Sequence, residues 1–205
     1  LHALEIASGL ARSGDAGAVI TAPVSKTQLY KIGFRYPGQT EFVSERCGIA
    51  RENAVMMLAG PTLRVVPMTT HIALHDVPEH FTESLIVACA RAAEKALIRS
   101  FGIEKPRIAI AGLNPHAGEN GNLGHEEQRV MQPAIAKLRE QGMNITDPLP
   151  ADTMFHEEAR SKYDVALCPY HDQALIPLKT LHFFDGVNIT LGLPIVRTSP
   201  DHGTA

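Results

Sequence analysis

The sequence has no apolar run near the roughly 20 residues that a membrane-spanning helix needs, and no signal peptide precedes its first predicted element. It also lacks a basic excess: 19 Lys and Arg residues face 22 Asp and Glu residues, which gives a formal net charge of −3. Nucleic-acid binding would need a basic face or stripe. We therefore expect a cytoplasmic protein that binds neither membranes nor nucleic acids.

Cysteine is scarce as well. Cys47, Cys89 and Cys168 are far apart in the chain, and none belongs to the CxxC pair that suggests structural zinc. An odd number of scattered cysteines is typical of a reducing compartment. The remaining composition, 44% hydrophobic and 20% charged, is that of an ordinary globular protein.

The sequence looks cut at both ends. Residue 1 is Leu, residues 1–14 read as the late part of a helix before a glycine, and residues 199–205 stop in a loop. We expect residues 1–205 to be an internal fragment of a longer protein.

Short β-rich runs alternate with segments of helical periodicity, which predicts an α/β fold with some parallel strand pairing. Two apolar runs within residues 53–68 are separated by "GPT" and predict a hairpin, and residues 186–200 predict a late strand pair. Thr40 is a plausible helix N-cap, and Pro133 predicts a kink in the helix at residues 124–142.

Three of the ten histidines follow β-type runs: His71 after "LRVVPMTT", His116 after "RIAIAGLNP" and His171 within "CPYHDQ". A single histidine near a loop is more often a surface residue than a ligand. However, side chains just past several strands converge in open α/β sheets. Three neutral imidazoles suit a divalent transition metal with positions left open for a substrate. The joint pattern therefore favours a metal site, with His75 at the surface or behind the ligands.

A second candidate set would bind an anion. A phosphate is bound by a cation, a guanidinium and neutral donors together, and Lys179, Asn188 and Arg197 follow the third histidine within one stretch. Thr40, near a predicted helix start, adds a hydroxyl. The glycines at 118, 121 and 124 match no standard nucleotide motif, and either a ligand contact or a tight turn explains them.

Together the motifs "ITAPVSK", "YPGQTEF", "GLNPHAGENGNLGHEE", "PADTMF", "YHDQALIPLK" and "GVNITLGLPIVRTSPDHGTA" resemble the 4-hydroxythreonine-4-phosphate dehydrogenase family of vitamin B6 biosynthesis. The resemblance runs in order from about Ala18 to the last residue. It implies an isocitrate/isopropylmalate dehydrogenase-like α/β fold in two subdomains. It also implies a homodimer with the active site at the subunit interface.

The resemblance also implies site residues. A divalent metal ion (zinc, cobalt or magnesium) would be held by His71, His116 and His171. Substrate contacts carry over onto Thr40, Lys179, Asn188 and Arg197. Gln39 stands where many members have a histidine, and its amide can donate hydrogen bonds but cannot carry charge.

The implied reaction is an oxidation and decarboxylation of 4-phosphonooxy-L-threonine by NAD or NADP. Its products are 3-amino-2-oxopropyl phosphate and carbon dioxide. Asp152, Asp172 and Lys179 are all candidates for the general base, and Asp172 could equally orient a ligand imidazole. Part of the nicotinamide site is expected in residues 188–205.

Three other functions stay open at this point. Related dehydrogenases oxidise sugar-acid phosphates or cis-dihydrodiols with the same three-histidine metal. Phosphate acyltransferases share the general fold without redox chemistry, and a non-catalytic binding module is the third alternative.

Overall fold

In the computed structural model, which describes residues 1–202 except for the side chain of Lys26, eight strands form one mixed sheet. The strands are β1 (Val19–Ile20), β2 (Val55–Ala59), β3 (Arg64–Pro67), β4 (Ile108–Ala111), β5 (Ile145–Leu149), β6 (Val165–Cys168), β7 (Val187–Leu191) and β8 (Arg197–Pro200). Their order across the sheet is β1-β8-β7-β2-β3-β6-β4-β5. The predicted α/β class is confirmed, whereas the division into two subdomains stays a prediction.

Half of the sheet is parallel. Strands β3, β6, β4 and β5 run in the same direction, while β2 lies antiparallel to both β3 and β7. The predicted hairpin at residues 53–68 is confirmed as β2–β3, and the late strand pair as β7–β8. The carboxyl ends of the four parallel strands meet at one edge of the sheet, where α/β proteins bind their ligands.

Helices cover both faces of the sheet. They are α1 (His2–Ser13), α2 (Lys26–Lys31), α3 (Gln39–Arg46), α4 (Val77–His80), α5 (Glu83–Phe101), α6 (Gln132–Glu140), α7 (Glu157–Arg160) and α8 (His171–His182). Single 3-10 turns occur at Arg51–Asn53, Leu74–Asp76 and Ala151–Thr153. The longer turn Pro115–Gly121 has left-handed backbone at residues 116–120, and a π turn at Glu127–Met131 leads into α6. Across residues 1–202, every helix is too short or too polar to cross a membrane.

The apolar strands serve two cores at once, because successive side chains point to opposite faces of a sheet. Val66, Ile108 and Val165 pack on one face with α5 and α6. Val65 and Ala166 pack on the other face with Ala174 and Leu178 of α8. This double burial explains why these strands read as continuous apolar runs rather than as alternating ones.

Some local predictions were wrong or incomplete. Thr40 is not the N-cap of α3: Gly38 occupies that position, and Thr40 lies in the first turn. At Pro133, where a kink or an early break was predicted, the helix changes type: the π turn ends at Met131 and α6 begins at Gln132. Strand β5 and helix α8 were not predicted, and each contains an internal proline, Pro148 or Pro177.

Candidate active-site cleft

Two of the three predicted metal ligands lie together. His71 follows β3 and His171 follows β6, its parallel neighbour, and their ring centroids are 5.5 Å apart. The strand pairing continues past both strand ends, because the amide and the hydroxyl of Thr69 both donate to the carbonyl of Pro169, at 3.1 and 2.7 Å. The two loops are therefore held together by main-chain pairing, and both rings line a pocket of about 270 Å³.

The orientation of His171 is fixed by its neighbour. Nδ1 of His171 donates to Oδ1 of Asp172 at 2.7 Å. This contact occupies Nδ1, so Nε2 is the nitrogen that can bind a metal ion. His71 has a left-handed backbone, with φ of 42°, which is uncommon outside glycine and concentrated at functional sites.

The third predicted ligand lies elsewhere. His116 follows β4 in the turn Pro115–Gly121, is exposed, and does not line the pocket of His71 and His171. Across residues 1–202 of a single chain, no three His, Cys, Asp or Glu side chains are arranged to hold a metal ion. One chain therefore supplies two of the three predicted ligands in one place.

Asp152 lies on the same side as His116. It is exposed in the turn Ala151–Thr153 after β5, and this turn contacts the turn that carries His116. The structure thus separates Asp152 from Asp172, which lies beside His171.

Arg197 is the most unusual cation of the cleft. Its side chain is buried, with 4% of the residue exposed, and its guanidinium donates only to neutral oxygens. The acceptors are Thr21 Oγ1 at 2.8 Å, Thr190 Oγ1 at 3.0 Å, Thr40 Oγ1 at 3.2 Å and Gln39 Oε1 at 3.5 Å. Within the described range no carboxylate forms an ion pair with it, and its Nε is buried without a hydrogen-bond partner.

Burial lowers the pKa of Arg197, and the nearby charge of Glu41 opposes this effect. A buried cation without a counterion is unfavourable. A guanidinium in that state, with neutral donors around it, is the arrangement that binds a phosphate or carboxylate.

One member of the histidine pair shares a cavity with the threonine side of the anion site, whereas Arg197 itself lines a separate pocket of about 180 Å³. His71, Thr40, Asn188 and Thr190 all line a cavity of about 740 Å³. Gln39 lies on the far side of Arg197, where its Nε2 donates to the carbonyl of Ala22 at 3.2 Å. The predicted substrate residues Gln39, Thr40, Asn188 and Arg197 are therefore brought together next to the cavity that His71 reaches.

Lys179 lies two helical turns after His171 in α8 and lines neither cavity. Its Nζ donates to the carbonyl oxygen of Asp201 at 3.3 Å and is 3.5 Å from Oδ2 of the same residue. The Asp201 side chain is only 4% exposed. Lys179 is thus tied to the segment after β8.

Sequence reasoning missed Thr21, Thr190 and Asp201. Thr190 lies two residues after Asn188 on β7, so the two-residue period of a strand could have found it. Thr21 and Asp201 give no such local signal. Residues 203–205 of the predicted nicotinamide segment lie outside the described residues.

The fold and the cleft define an α/β protein with paired imidazoles beyond the carboxyl ends of two parallel strands and a buried guanidinium near the same cleft. The family model described as pyridoxal phosphate biosynthetic protein PdxA matches residues 1–205, and the chain belongs to this family. The resemblance inferred from the motifs is confirmed.

Three known proteins illustrate the similarity. The 4-hydroxythreonine-4-phosphate dehydrogenase of Zymomonas mobilis is 59% identical over 203 residues, which are 99% of this chain and 61% of that relative. A crystal structure of a 4-hydroxythreonine-4-phosphate dehydrogenase from Klebsiella pneumoniae superposes with a TM-score of 0.93 at 43% identity, covering 100% of this chain and 61% of the other. The terephthalate 1,2-cis-dihydrodiol dehydrogenase of Burkholderia xenovorans gives 0.79 at 32% identity, with 98% and 63% covered. The chain spans about three fifths of the length of the relatives it matches.

Proposed function

We propose that the protein is a metal-dependent NAD(P)-linked dehydrogenase. It would convert 4-phosphonooxy-L-threonine to 3-amino-2-oxopropyl phosphate and carbon dioxide, in vitamin B6 biosynthesis. The observation that carries this proposal is the single cavity that joins His71 to Thr40 and Asn188, with the buried Arg197 behind Thr40. The names of the most similar relatives support the same substrate.

In this proposal the phosphate of the substrate binds at Arg197. The guanidinium supplies the positive charge and Thr40 supplies a hydroxyl donor. Asn188 lines the same cavity and can donate to the substrate through its amide. Gln39 carries no charge, so Arg197 supplies the positive charge for the substrate phosphate. Lys179 is a second cation, further along α8.

The metal ion would be held by His71 and His171 through their imidazoles, with Asp172 keeping His171 in one tautomer and orientation. When bound, a zinc, cobalt or magnesium ion lowers the pKa of the substrate hydroxyl and stabilises negative charge on that oxygen. Neutral imidazoles are suitable ligands for this chemistry.

The third ligand would come across a subunit interface. His116 does not join the other two histidines within one chain, so a homodimer in which His116 of the partner subunit enters the cleft would complete the site. The contact between the turns of His116 and Asp152 means that the same approach would bring in a carboxylate.

The reaction needs a base for the hydroxyl proton while the hydride passes from the same carbon to the nicotinamide. The resulting β-keto acid then loses carbon dioxide. Asp152, Asp172 and Lys179 remain the candidates for the base. The hydrogen bond that Asp172 accepts from His171 favours an orienting role for Asp172. The contacts with Asp201 hold Lys179 outside both cavities.

A cis-dihydrodiol substrate is the second candidate, supported by the similarity to the Burkholderia xenovorans enzyme and by Gln39 in place of histidine. The buried Arg197 favours a substrate with an anionic group, which the phosphorylated substrate has, over a dihydrodiol that carries no anionic group. Cytoplasmic location and the choice between NAD and NADP stay predictions.

The test is steady-state formation of NADH or NADPH by the purified protein with 4-phosphonooxy-L-threonine, with and without a chelator. We expect turnover that the chelator abolishes and that His171→Ala removes. His80→Ala, an exposed histidine on α4, is the matched control and should keep wild-type turnover. Turnover of a cis-dihydrodiol with none of the phosphorylated substrate would contradict the proposal.

A further inference from the structure

We infer that Glu127 is a positioning residue for His116: its buried carboxylate fixes the turn on which His116 is carried. This inference rests on the metal-ligand role proposed above for His116. It concerns a residue outside the cleft, which touches neither the histidine pair nor the anion site.

The carboxylate of Glu127 is held by neutral donors alone. Glu127 is 4% exposed, and its two oxygens accept from Asn114, Oε1 from the main-chain N at 2.8 Å and Oε2 from Nδ2 at 2.9 Å. In the described part of the chain no Lys, Arg or His forms an ion pair with it. A buried carboxylate without a cation is unfavourable, so its retention at this position calls for a specific role.

The same carboxylate fills the inside of the turn on both sides of His116. A Cβ at Gly118 would lie 2.6 Å from Oε2 of Glu127, and a Cβ at Gly112 would lie 2.7 Å from Cα of Ala117 in the turn and 3.2 Å from Oε1 of Glu127. Gly112 precedes His116 and Gly118 follows it. The turn therefore packs against the carboxylate, and Gly118 permits this close approach.

The turn needs such a support because its backbone is unfavourable. Residues 116–120 are all left-handed, with φ of 54° at His116 and 52° at Ala117. Only glycine adopts this region without strain, and four of these five residues are not glycine. Such a run persists only where surrounding contacts fix it, and it orients the imidazole of His116.

The helix that carries Glu127 departs from regular α-helical geometry at this residue. A π turn begins at Glu127, and the main-chain N of Gln132 donates to the carbonyl oxygen of Glu127, five residues back. π turns are concentrated at functional sites. Gln173 adds a link to the cleft, because its Nε2 donates to the carbonyl of Gly112 at 2.8 Å from the first turn of α8.

The test is Glu127→Gln with Co²⁺ as the probe. The glutamine amide has the size of the carboxylate, but its NH₂ group would face one of the two N–H groups of Asn114 and could not accept from it. We expect Co²⁺ to bind the purified protein about 10 to 100 times more weakly, with a changed visible absorption spectrum, because partners behind a metal ligand have effects of this size. Glu140→Gln on the exposed end of α6 makes the same charge change and should bind Co²⁺ like the wild type.

A double-mutant cycle separates positioning from general destabilisation. In a His116→Ala background the further loss caused by Glu127→Gln should disappear, because the residue it positions is gone. Gly118→Ala, which keeps all charges but adds a Cβ against Oε2, should reproduce the weaker binding and serves if Glu127→Gln does not fold.

The outcomes distinguish the two proposals. Wild-type Co²⁺ affinity in His116→Ala would contradict the metal role of His116 itself. Weaker binding in His116→Ala, with wild-type affinity and spectrum in Glu127→Gln or in its replacement Gly118→Ala, would overturn the positioning role alone. If the losses of Co²⁺ binding free energy in the two single variants simply add in the double variant, the positioning role is overturned as well.

Discussion

At the scale of single residues, Arg197 shows how a buried charge can be kept available for a ligand. Its hydrogen bonds go to three threonine hydroxyls and one amide, which satisfy the geometry of the guanidinium without neutralising it. A carboxylate in any of these places would compete with the phosphate. The neutral partners therefore hold the side chain in place, and in the proposed function they leave its charge for the substrate.

We predict that inorganic phosphate raises the melting temperature of the wild-type protein but not that of Arg197→Met. Phosphate at about 100 times its Kd would stabilise the wild type by about 2.7 kcal/mol. Without phosphate the free energy of unfolding of the variant should be less than about 1 kcal/mol below that of the wild type, because the substitution removes a buried cation that has no counterion. Thermal unfolding with and without phosphate measures both effects. Arg91→Met, an exposed arginine bonded to Gln141, should respond like the wild type.

A second residue-scale prediction concerns Asp172. Asp172→Asn replaces the carboxylate that accepts from Nδ1 of His171 at 2.7 Å. We expect Zn²⁺ or Co²⁺ affinity to fall about 10- to 100-fold with little change in stability, because the imidazole loses its fixed tautomer and orientation. Metal titration followed by calorimetry checks this. Asp76→Asn, which removes the equivalent partner of the exposed His75, should leave affinity unchanged; an equal loss there would argue against a specific role for Asp172.

Sequence reasoning identified the residues whose signal is local and missed those whose role is tertiary. His71 and His171 follow apolar runs, so their meeting at one sheet edge could be predicted. Thr21 could not, because it reaches Arg197 only through the pairing of β1 with β8, about 180 positions apart in the chain. The separate position of His116 was equally hidden, since it depends on a turn conformation rather than on the strand before it.

At the scale of elements, periodicity predicted the buried strands and failed where proline interrupts it. Pro148 lies in β5, which is an edge strand and can therefore tolerate a residue that donates no ladder hydrogen bond. Pro177 lies inside α8, where it removes one main-chain donor. Helix α8 forms nevertheless because Ala174 and Leu178 are fully buried against the sheet. Tertiary packing thus decides both cases.

Strands β4 and β6 are joined at their amino ends by an ion pair with a pH signature. Arg107 donates to both oxygens of Asp164, from its main-chain N at 2.7 Å and from Nη2 at 2.9 Å. This hydrogen bonding lowers the pKa of Asp164 from its ordinary value, against the smaller opposing effect of burial. A lowered folded-state pKa means stability that is present above the unfolded pKa and is lost as the pH falls through the folded pKa.

We predict that Asp164→Asn lowers the free energy of unfolding by about 1.5–3 kcal/mol near pH 7. The difference from the wild type should narrow below about pH 4, where the unfolded-state carboxyl begins to be protonated. Urea unfolding between pH 2.5 and 7 measures this. Asp147→Asn removes an exposed pair with Arg139 and should change stability by only about 0–1 kcal/mol at every pH. A difference for Asp164→Asn that does not vary with pH would contradict the assignment.

At the scale of the whole molecule, the cleft lies at one edge of the sheet, and one chain brings two of the three predicted metal ligands together there. His71 and His171 meet there, while His116 and Asp152 occupy the outer part of the same edge. The proposed homodimer would unite the two groups.

Subunit mixing tests this arrangement. His116→Ala and His171→Ala should each be inactive alone. Unfolding and refolding them together should restore about a quarter of wild-type activity, because half of the dimers are mixed and each mixed dimer has one intact site of two. A mixture of His71→Ala with His171→Ala should stay inactive, since both lesions fall on the same side of the interface. No recovery in the first mixture would show that one chain supplies all three ligands.

The pairing of β1 with β8 also sets an order of assembly. Thr21 follows the first strand in the chain and Arg197 begins the last described one, so the proposed phosphate site forms only when these two strands, distant in sequence, have paired. Contacts over such long sequence separations form late and slowly during folding. A nascent chain that still lacks β8 contains both residues of the histidine pair but does not yet contain Arg197. In the proposed function, binding of phosphate would therefore depend on this long-range pairing and would report on its formation.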